Sequence, residues 1–197
     1  MRIEECKNIT IAYMRNVGGY GAKNEKLMDA FKTFLQNNNL LDAESIILGI
    51  ALDNPATTPA EALRYDIGLI IKEEEEIPLN KRKLDDGTYA VFEVAHTREG
   101  VMAFWENVPQ LAASLSIDYD KPIIERYTYG KITNGLCEFC VPLAYRNEQA
   151  TEPVYKGFHR LFHAVIKWAF NLNTRLLLKA GAAGASRPPH GRRSRGS

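Results

Sequence analysis

The chain has 197 residues, 45% hydrophobic and 25% charged, the profile of one ordinary globular domain or two small ones, which excludes a collagen-like or tail-only polypeptide. No run of about 18 apolar residues occurs and no apolar stretch follows Met1-Arg2-Ile3-Glu4-Glu5, so neither a membrane span nor a secretory leader is expected, and the cytoplasm is the expected location. The net charge of +1 hides a segregation, with 15 Lys and Arg against 22 Asp and Glu in residues 1–143 but 10 against 2 in residues 144–197; an acidic body repels phosphate and suits a cationic small molecule, leaving nucleic acid only the basic end.

In chain order, Ile9–Tyr13 reads as a strand and Val17-Gly18-Gly19-Tyr20-Gly21 as a turn. Leu27, Phe31, Phe34 and Leu35 then fall at helical spacing. Ser45–Leu52 and Arg64–Ile71 are β-rich runs, separated by Asp53, Asn54, Pro55 and Pro59, which enforce a turn. Glu73–Glu76 and the mixed-charge stretch Asn80–Gly87 read as a solvated connection. The order then repeats. Tyr89–Val94 is a strand, Met102, Trp105, Val108 and Leu111 mark a helix, and Lys121–Tyr129 and Leu136–Leu143 are strands joined by a turn over Gly130–Gly135. Each half has about 60 residues, near the lower limit for an independent core, so the halves are expected to share one. The expected fold is α+β: two pseudo-symmetric strand-helix-strand-strand modules form an antiparallel sheet with the helices on one face and a groove between them.

Beyond the repeat, Phe158, Leu161, Phe162, Val165, Trp168, Ala169 and Leu172 recur at i, i+3, i+4, i+7 spacing, predicting an amphipathic helix over about Lys156–Lys179. Its apolar stripe is expected to cover the body, a second copy in a homodimer, or a partner protein. From Gly181 onward no large apolar residue remains, so disorder is expected. The resulting division is a binding domain at 1–143, a helical extension at 144–180 and a disordered basic tail at 181–197.

Several strings fall in a recognisable order: Asp53-Asn54-Pro55, Thr58-Pro59-Ala60-Glu61 and Arg64-Tyr65-Asp66; Gly87-Thr88-Tyr89-Ala90-Val91-Phe92; Pro122-Ile123-Ile124-Glu125-Arg126-Tyr127; and Glu138-Phe139-Cys140-Val141-Pro142-Leu143. As a set, over residues 1–143, they resemble the GyrI-like (gyrase-inhibitor-like) family, the fold of the effector-binding domains of AraC-type and MerR-type multidrug regulators. The resemblance implies a pocket for hydrophobic, often cationic compounds, and it places the family's buried pocket glutamate on Glu125. The strand pattern begins within ten residues of Met1, leaving no room there for a helix-turn-helix, so a free-standing domain is expected.

The residues carry their own reading beside this one. Ile123, Glu125 and Tyr127 alternate along a strand and share a face. A carboxylate on an apolar, aromatic face is costly unless paired; a ligand cation would pair it, and so would a cross-strand Lys or Arg at the surface. Tyr13, Tyr20, Phe31, Trp105 and Tyr127 are the aromatic candidates to line the groove, since aromatic faces hold desolvated cations.

No cofactor and no metal is expected. Cys137 and Cys140 lie three apart in a strand and face opposite sides, and His159 and His163 have Arg160 where a zinc-protease helix carries glutamate. Three cysteines are too few for a disulfide framework. The leading function is sensing or sequestering a hydrophobic, cationic compound, including a role in transcription regulation. The alternatives that the resemblance implies are a hydrolase of strained electrophilic compounds and a gyrase-type protein inhibitor.

Overall fold

The computed structural model describes residues 1–55 and 57–144; the predicted helix over Lys156–Lys179 and the basic tail lie outside the described residues. Eight strands form one antiparallel sheet: β1 (Arg2–Cys6), β2 (Thr10–Val17), β3 (Ile46–Ala51), β4 (Arg64–Ile71), β5 (Asn80–Lys83), β6 (Gly87–Ala95), β7 (Ile124–Thr128) and β8 (Leu136–Leu143). The helices are α1 (Ala22–Asn37), α2 (Arg98–Ser114) and the short α3 (Tyr129–Thr133). Both predicted modules are present, as β2-α1-β3-β4 and β6-α2-β7-β8. The predicted turn over Gly130–Gly135 instead contains α3, started by the Thr128 hydroxyl, which accepts from the Lys131 N–H.

The strand order β1-β6-β8-β7-β3-β4-β2-β5 exposes the pseudo-symmetry. The modules meet at β3–β7, where Ile46–Ile50 pair with Ile124–Thr128. The strand that precedes each module crosses to the outer edge of the other: β1 pairs with β6, and β5 with β2. Each crossing strand is pinned by charge. Asp66 of β4 accepts from Arg15 of β2 and from Arg82 of β5, while Glu138 of β8 accepts from Arg126 of β7 and from Arg2 of β1.

The period-2 alternation of the strands separates two apolar layers. Ala12, Ile47, Tyr65, Ile67, Leu69, Ala90, Tyr127, Phe139 and Val141 pack with Met28, Phe31 and Leu35 of α1 and with Val101, Phe104, Trp105 and Val108 of α2. The opposite face carries a second cluster of Ile11, Leu48, Ile50, Tyr89, Val91, Ile124 and Cys140. Cys137 belongs to the first layer and Cys140 to the second, the separation that three residues along a strand dictates. α1 rests on β2 and β4 and α2 on β6. The central β3–β7 seam therefore forms the floor between the two helices.

Candidate functional site

Glu125 stands on that floor. Its Cα partners are Gly49 of β3 on one side and Phe139 of β8 on the other. Paired residues point to the same face, so beside Glu125 Gly49 offers only a hydrogen and Phe139 offers an aromatic wall. The Glu125 residue is 4% exposed, which disposes of the surface ion pair that the sequence left open. Among the described residues no cationic side chain lies at ion-pair distance from it. Its Oε2 accepts a 2.5 Å hydrogen bond from the Tyr127 hydroxyl, two residues along the same strand. Burial pushes the Glu125 carboxyl up to about 8, against the lowering effect of the Tyr127 hydrogen bond. The Tyr127 phenol is itself raised, first by burial and then by the Glu125 charge.

Aromatic rings surround this pair. Phe139 stacks on Phe104 at 4.2 Å between centroids, and Trp105 meets Phe104 and Phe139 edge-on at 5.6 and 5.7 Å. The indole Nε1 of Trp105 is buried with no acceptor among the described residues, a polar group without its usual partner. From the other module, Tyr65 of β4 lies within the electrostatic reach of Glu125, and Tyr20 contacts the Tyr65 ring edge-on at 6.1 Å. Tyr20 is held where it is by its backbone. Gly18 and Gly21 have φ of 130° and 133°, a region that side chains disfavour, and the turn they make carries the Tyr20 hydroxyl to the carbonyls of Asp53 and Arg64.

The structure thus brings four sequence candidates into one neighbourhood, Glu125, Tyr127, Trp105 and Tyr20. Phe31 lies on the buried face of α1 in the same apolar layer, fully enclosed. Tyr13 does not join them. It falls in register with Ile11 on the opposite face, where the guanidiniums of Arg15 and Arg82 lie 5.2 and 5.5 Å from its ring. Counting strand positions from Ile11 would have placed it there, because residues two apart share a face.

Five residues of this neighbourhood were not among the sequence candidates: Tyr65, Phe104, Phe139, His96 and Lys32. Tyr65 and Phe139 occupy the same face as Glu125 and were available from strand alternation once the β3–β7 pairing was known. His96 begins the connection from β6 to α2, and its ring packs on Tyr127 at 5.6 Å. Burial, followed by the Lys32 charge, lowers the imidazole to about 4. Lys32 is 2% exposed on α1, and no residue pattern in the sequence singled it out.

No group of three or more His, Cys, Asp or Glu side chains among the described residues is arranged to hold a metal. No helix among them is long and apolar enough to cross a membrane. The arrangement offers a carboxyl group that can become an anion, in an aromatic enclosure, flanked by a phenol.

Comparison with known proteins gives the family and the fold. The family described as GyrI-like small molecule binding domain matches residues 1–144. The Bacillus subtilis (strain 168) protein named "SPbeta prophage-derived putative transcriptional regulator YosT" is 45% identical over 145 residues, covering 72% of this chain and 97% of that protein. Among solved structures, SAV2435 bound to tetraphenylphosphonium superposes with a TM-score of 0.52 at 14% identity, covering 75% of this chain and 96% of the other, a likeness of fold.

Proposed function

Because the chain belongs to the GyrI-like small-molecule-binding domains, we propose that the floor between α1 and α2 is its ligand site and that the ligand is a hydrophobic cation seated over Glu125. One observation carries the reading: a carboxyl group 96% removed from solvent, among aromatic rings, without a cationic partner among the described residues. A protein that needed this residue only for stability would gain by replacing it with an apolar one. A ligand cation changes the balance, because it supplies the missing charge and its hydrophobic substituents fill the aromatic enclosure. Two comparisons support the reading: a fold neighbour holds tetraphenylphosphonium, and a relative carries a transcription-regulator name, which fits a sensing role.

The test is a thermal-shift titration of the full chain with tetraphenylphosphonium and with tetraphenylborate, which has nearly the same shape and the opposite charge. The cation at 100 times its dissociation constant should stabilise by ~2.7 kcal/mol. Equal shifts with both ions would defeat the electrostatic part of the reading.

A hydrolytic role is favoured by a different observation. The Glu125 carboxyl, raised to about 8, keeps its proton at neutral pH beside the Tyr127 hydroxyl, the state a general acid needs to protonate a leaving group. Product formation from a strained electrophile, abolished by Glu125→Gln with substrate binding retained, would establish it.

A further inference from the structure

Glu125 is not alone as a buried ionisable group on the helix-covered face without a counterpart among the described residues. Lys32 follows Phe31 on α1 and shares the buried stripe of Met28 and Leu35, at i−4 and i+3, so its side chain leaves the helix on the core side. Among the described residues no carboxylate stands at ion-pair distance from it. Burial lowers its ammonium, and the exposed Asp29, one turn back on the same helix, works the other way through space only. A lysine so enclosed ordinarily extends its ammonium to water or to a carboxylate.

The neighbour of Lys32 places it relative to the site. The Lys32 charge acts on His96. His96 precedes α2, packs on the Tyr127 ring, and has both ring nitrogens buried without a hydrogen-bond partner among the described residues. Tyr127 in turn donates to Glu125. The helix-covered face therefore extends from Glu125 and Tyr127 on the floor, past His96 against the Tyr127 ring, to the core side of α1, where Lys32 is buried. One end is acidic; the other presents an ammonium and an imidazole N–H, donors that find no acceptor among the described residues.

Resting on the reading of the groove as the ligand site, we propose that Lys32, with His96 beside it, is a second polar anchor, and that the groove takes amphoteric ligands: a hydrophobic cation over Glu125 with a carboxylate or sulfonate reaching Lys32. A simple lipophilic cation satisfies one end and leaves the ammonium buried and unpaired. A ligand carrying both charges satisfies both, which is how a site prefers one member of a chemical class over its isosteres.

The experiment compares ω-carboxyalkyl-triphenylphosphonium ions of increasing chain length with the alkyl-triphenylphosphonium ion of the same length, titrated into the full chain at neutral pH. At the chain length that spans the groove, the carboxylate compound should bind about 10-fold or more tightly than its alkyl partner, the scale of one charge-assisted hydrogen bond. Lys32→Met should remove that preference and leave the alkyl cation within about 2-fold of wild type, while Glu125→Gln should weaken both compounds. If the alkyl cations bind and no chain length favours the carboxylate, the amphoteric proposal is overturned and the cation reading stands. A Lys32→Met protein that loses both compounds alike overturns it too, since the lysine would then act on the fold. If no phosphonium binds at all, the groove reading itself falls and takes this proposal with it. The wild-type comparison is decisive even where Lys32→Met does not fold.

Discussion

Three acidic side chains are buried in this sheet, and the two faces treat them differently. On the face away from the helices, Asp66 is 0% and Glu138 2% exposed, and each is gripped by two arginines from different strands. For Glu138, burial works to raise the carboxyl, but the guanidiniums of Arg2 and Arg126 prevail and hold it below the ordinary carboxylate range. On the helix face, Glu125 is 4% exposed and has a phenol but, among the described residues, no guanidinium, so burial prevails and the carboxyl rises. The same chemical group is fixed in its charged form where its charge is met from within, and on the proposed reading is kept for a ligand where it is left to be met from outside. The carboxylates Asp66 and Glu138 and the crossing-strand arginines Arg82 and Arg2 also occupy corresponding strands of the two modules, as expected of parts that hold crossing strands, while the second arginine comes from β2 in one and β7 in the other; Glu125 instead has Gly49 opposite it across the seam.

The largest expected effect lies on the structural side. Asp66→Ala leaves Arg15 and Arg82 side by side without the fully buried carboxylate they share, their own side chains being 30% and 25% exposed. Breaking such a cluster by removing one partner costs about 3–5 kcal/mol, and the loss should appear as a lower urea midpoint with β5 released from β2. A stability change below about 1 kcal/mol, the level of a surface ion pair, would erase the distinction between the two faces.

Sequence pattern made the modules legible and left the edges hidden. β4 and β8 were predicted to the residue, because Arg64–Ile71 and Leu136–Leu143 are rich in apolar and β-branched residues that a sheet buries on both faces. β1 and β5 were not predicted as strands. Their sequences RIEEC and NKRK are mostly charged, as edge strands tend to be, and their partners lie in the other module, far along the chain. The site was half legible. Glu125 with Tyr127 followed from alternation, and the importance of Glu125 from the family resemblance, but Lys32 was hidden because a lysine on a helix is read as solvated unless packing shows otherwise.

Glu125→Gln is the next largest change, and its two effects have opposite signs. The variant should fold and bind tetraphenylphosphonium more weakly by about 1.5–3 kcal/mol, or roughly 10- to 150-fold, with a neutral isostere bound nearly equally by both proteins. It should also be more stable than wild type at pH 8 and above, because no charge has to be buried. The pH dependence follows from the direction of the shift. The folded carboxyl, near 8, lies above its unfolded value near 4.5, so its stabilising contribution is full below the unfolded value and is lost as pH rises through 8. His96, lowered to about 4, acts the other way, and its contribution is lost as pH falls below about 6.5. Between pH 6.5 and 8 the Glu125 effect is therefore separable from that of His96, and wild type should lose roughly 2 kcal/mol relative to Glu125→Gln. Urea titrations of both proteins across that window measure it, and parallel curves would mean that Glu125 ionises as it would in water.

The smallest effect sharpens the comparison most, because it changes the environment of Glu125 without touching the carboxylate. Tyr127→Phe removes the hydroxyl that donates to Oε2 and retains the ring that packs on His96. That hydrogen bond is the one influence that lowers the Glu125 carboxyl, so its loss should carry the ionisation further above 8. A monocation must meet the ionised form, which makes its affinity rise about tenfold per pH unit below the carboxyl's midpoint and level off above it. In wild type the plateau should begin near pH 8; in Tyr127→Phe it should begin later, with affinity at pH 7 reduced by about 0.5–1.5 kcal/mol, the net value of a single hydrogen bond. Above both midpoints the two proteins should differ less, because ionisation is then no longer the limiting step. An affinity loss that is the same at every pH would instead mean that the hydroxyl touches the ligand directly. A plateau that stays near pH 8 would mean that Tyr127 does not hold the carboxylate, and the helix face would then stabilise the buried charge by some other donor.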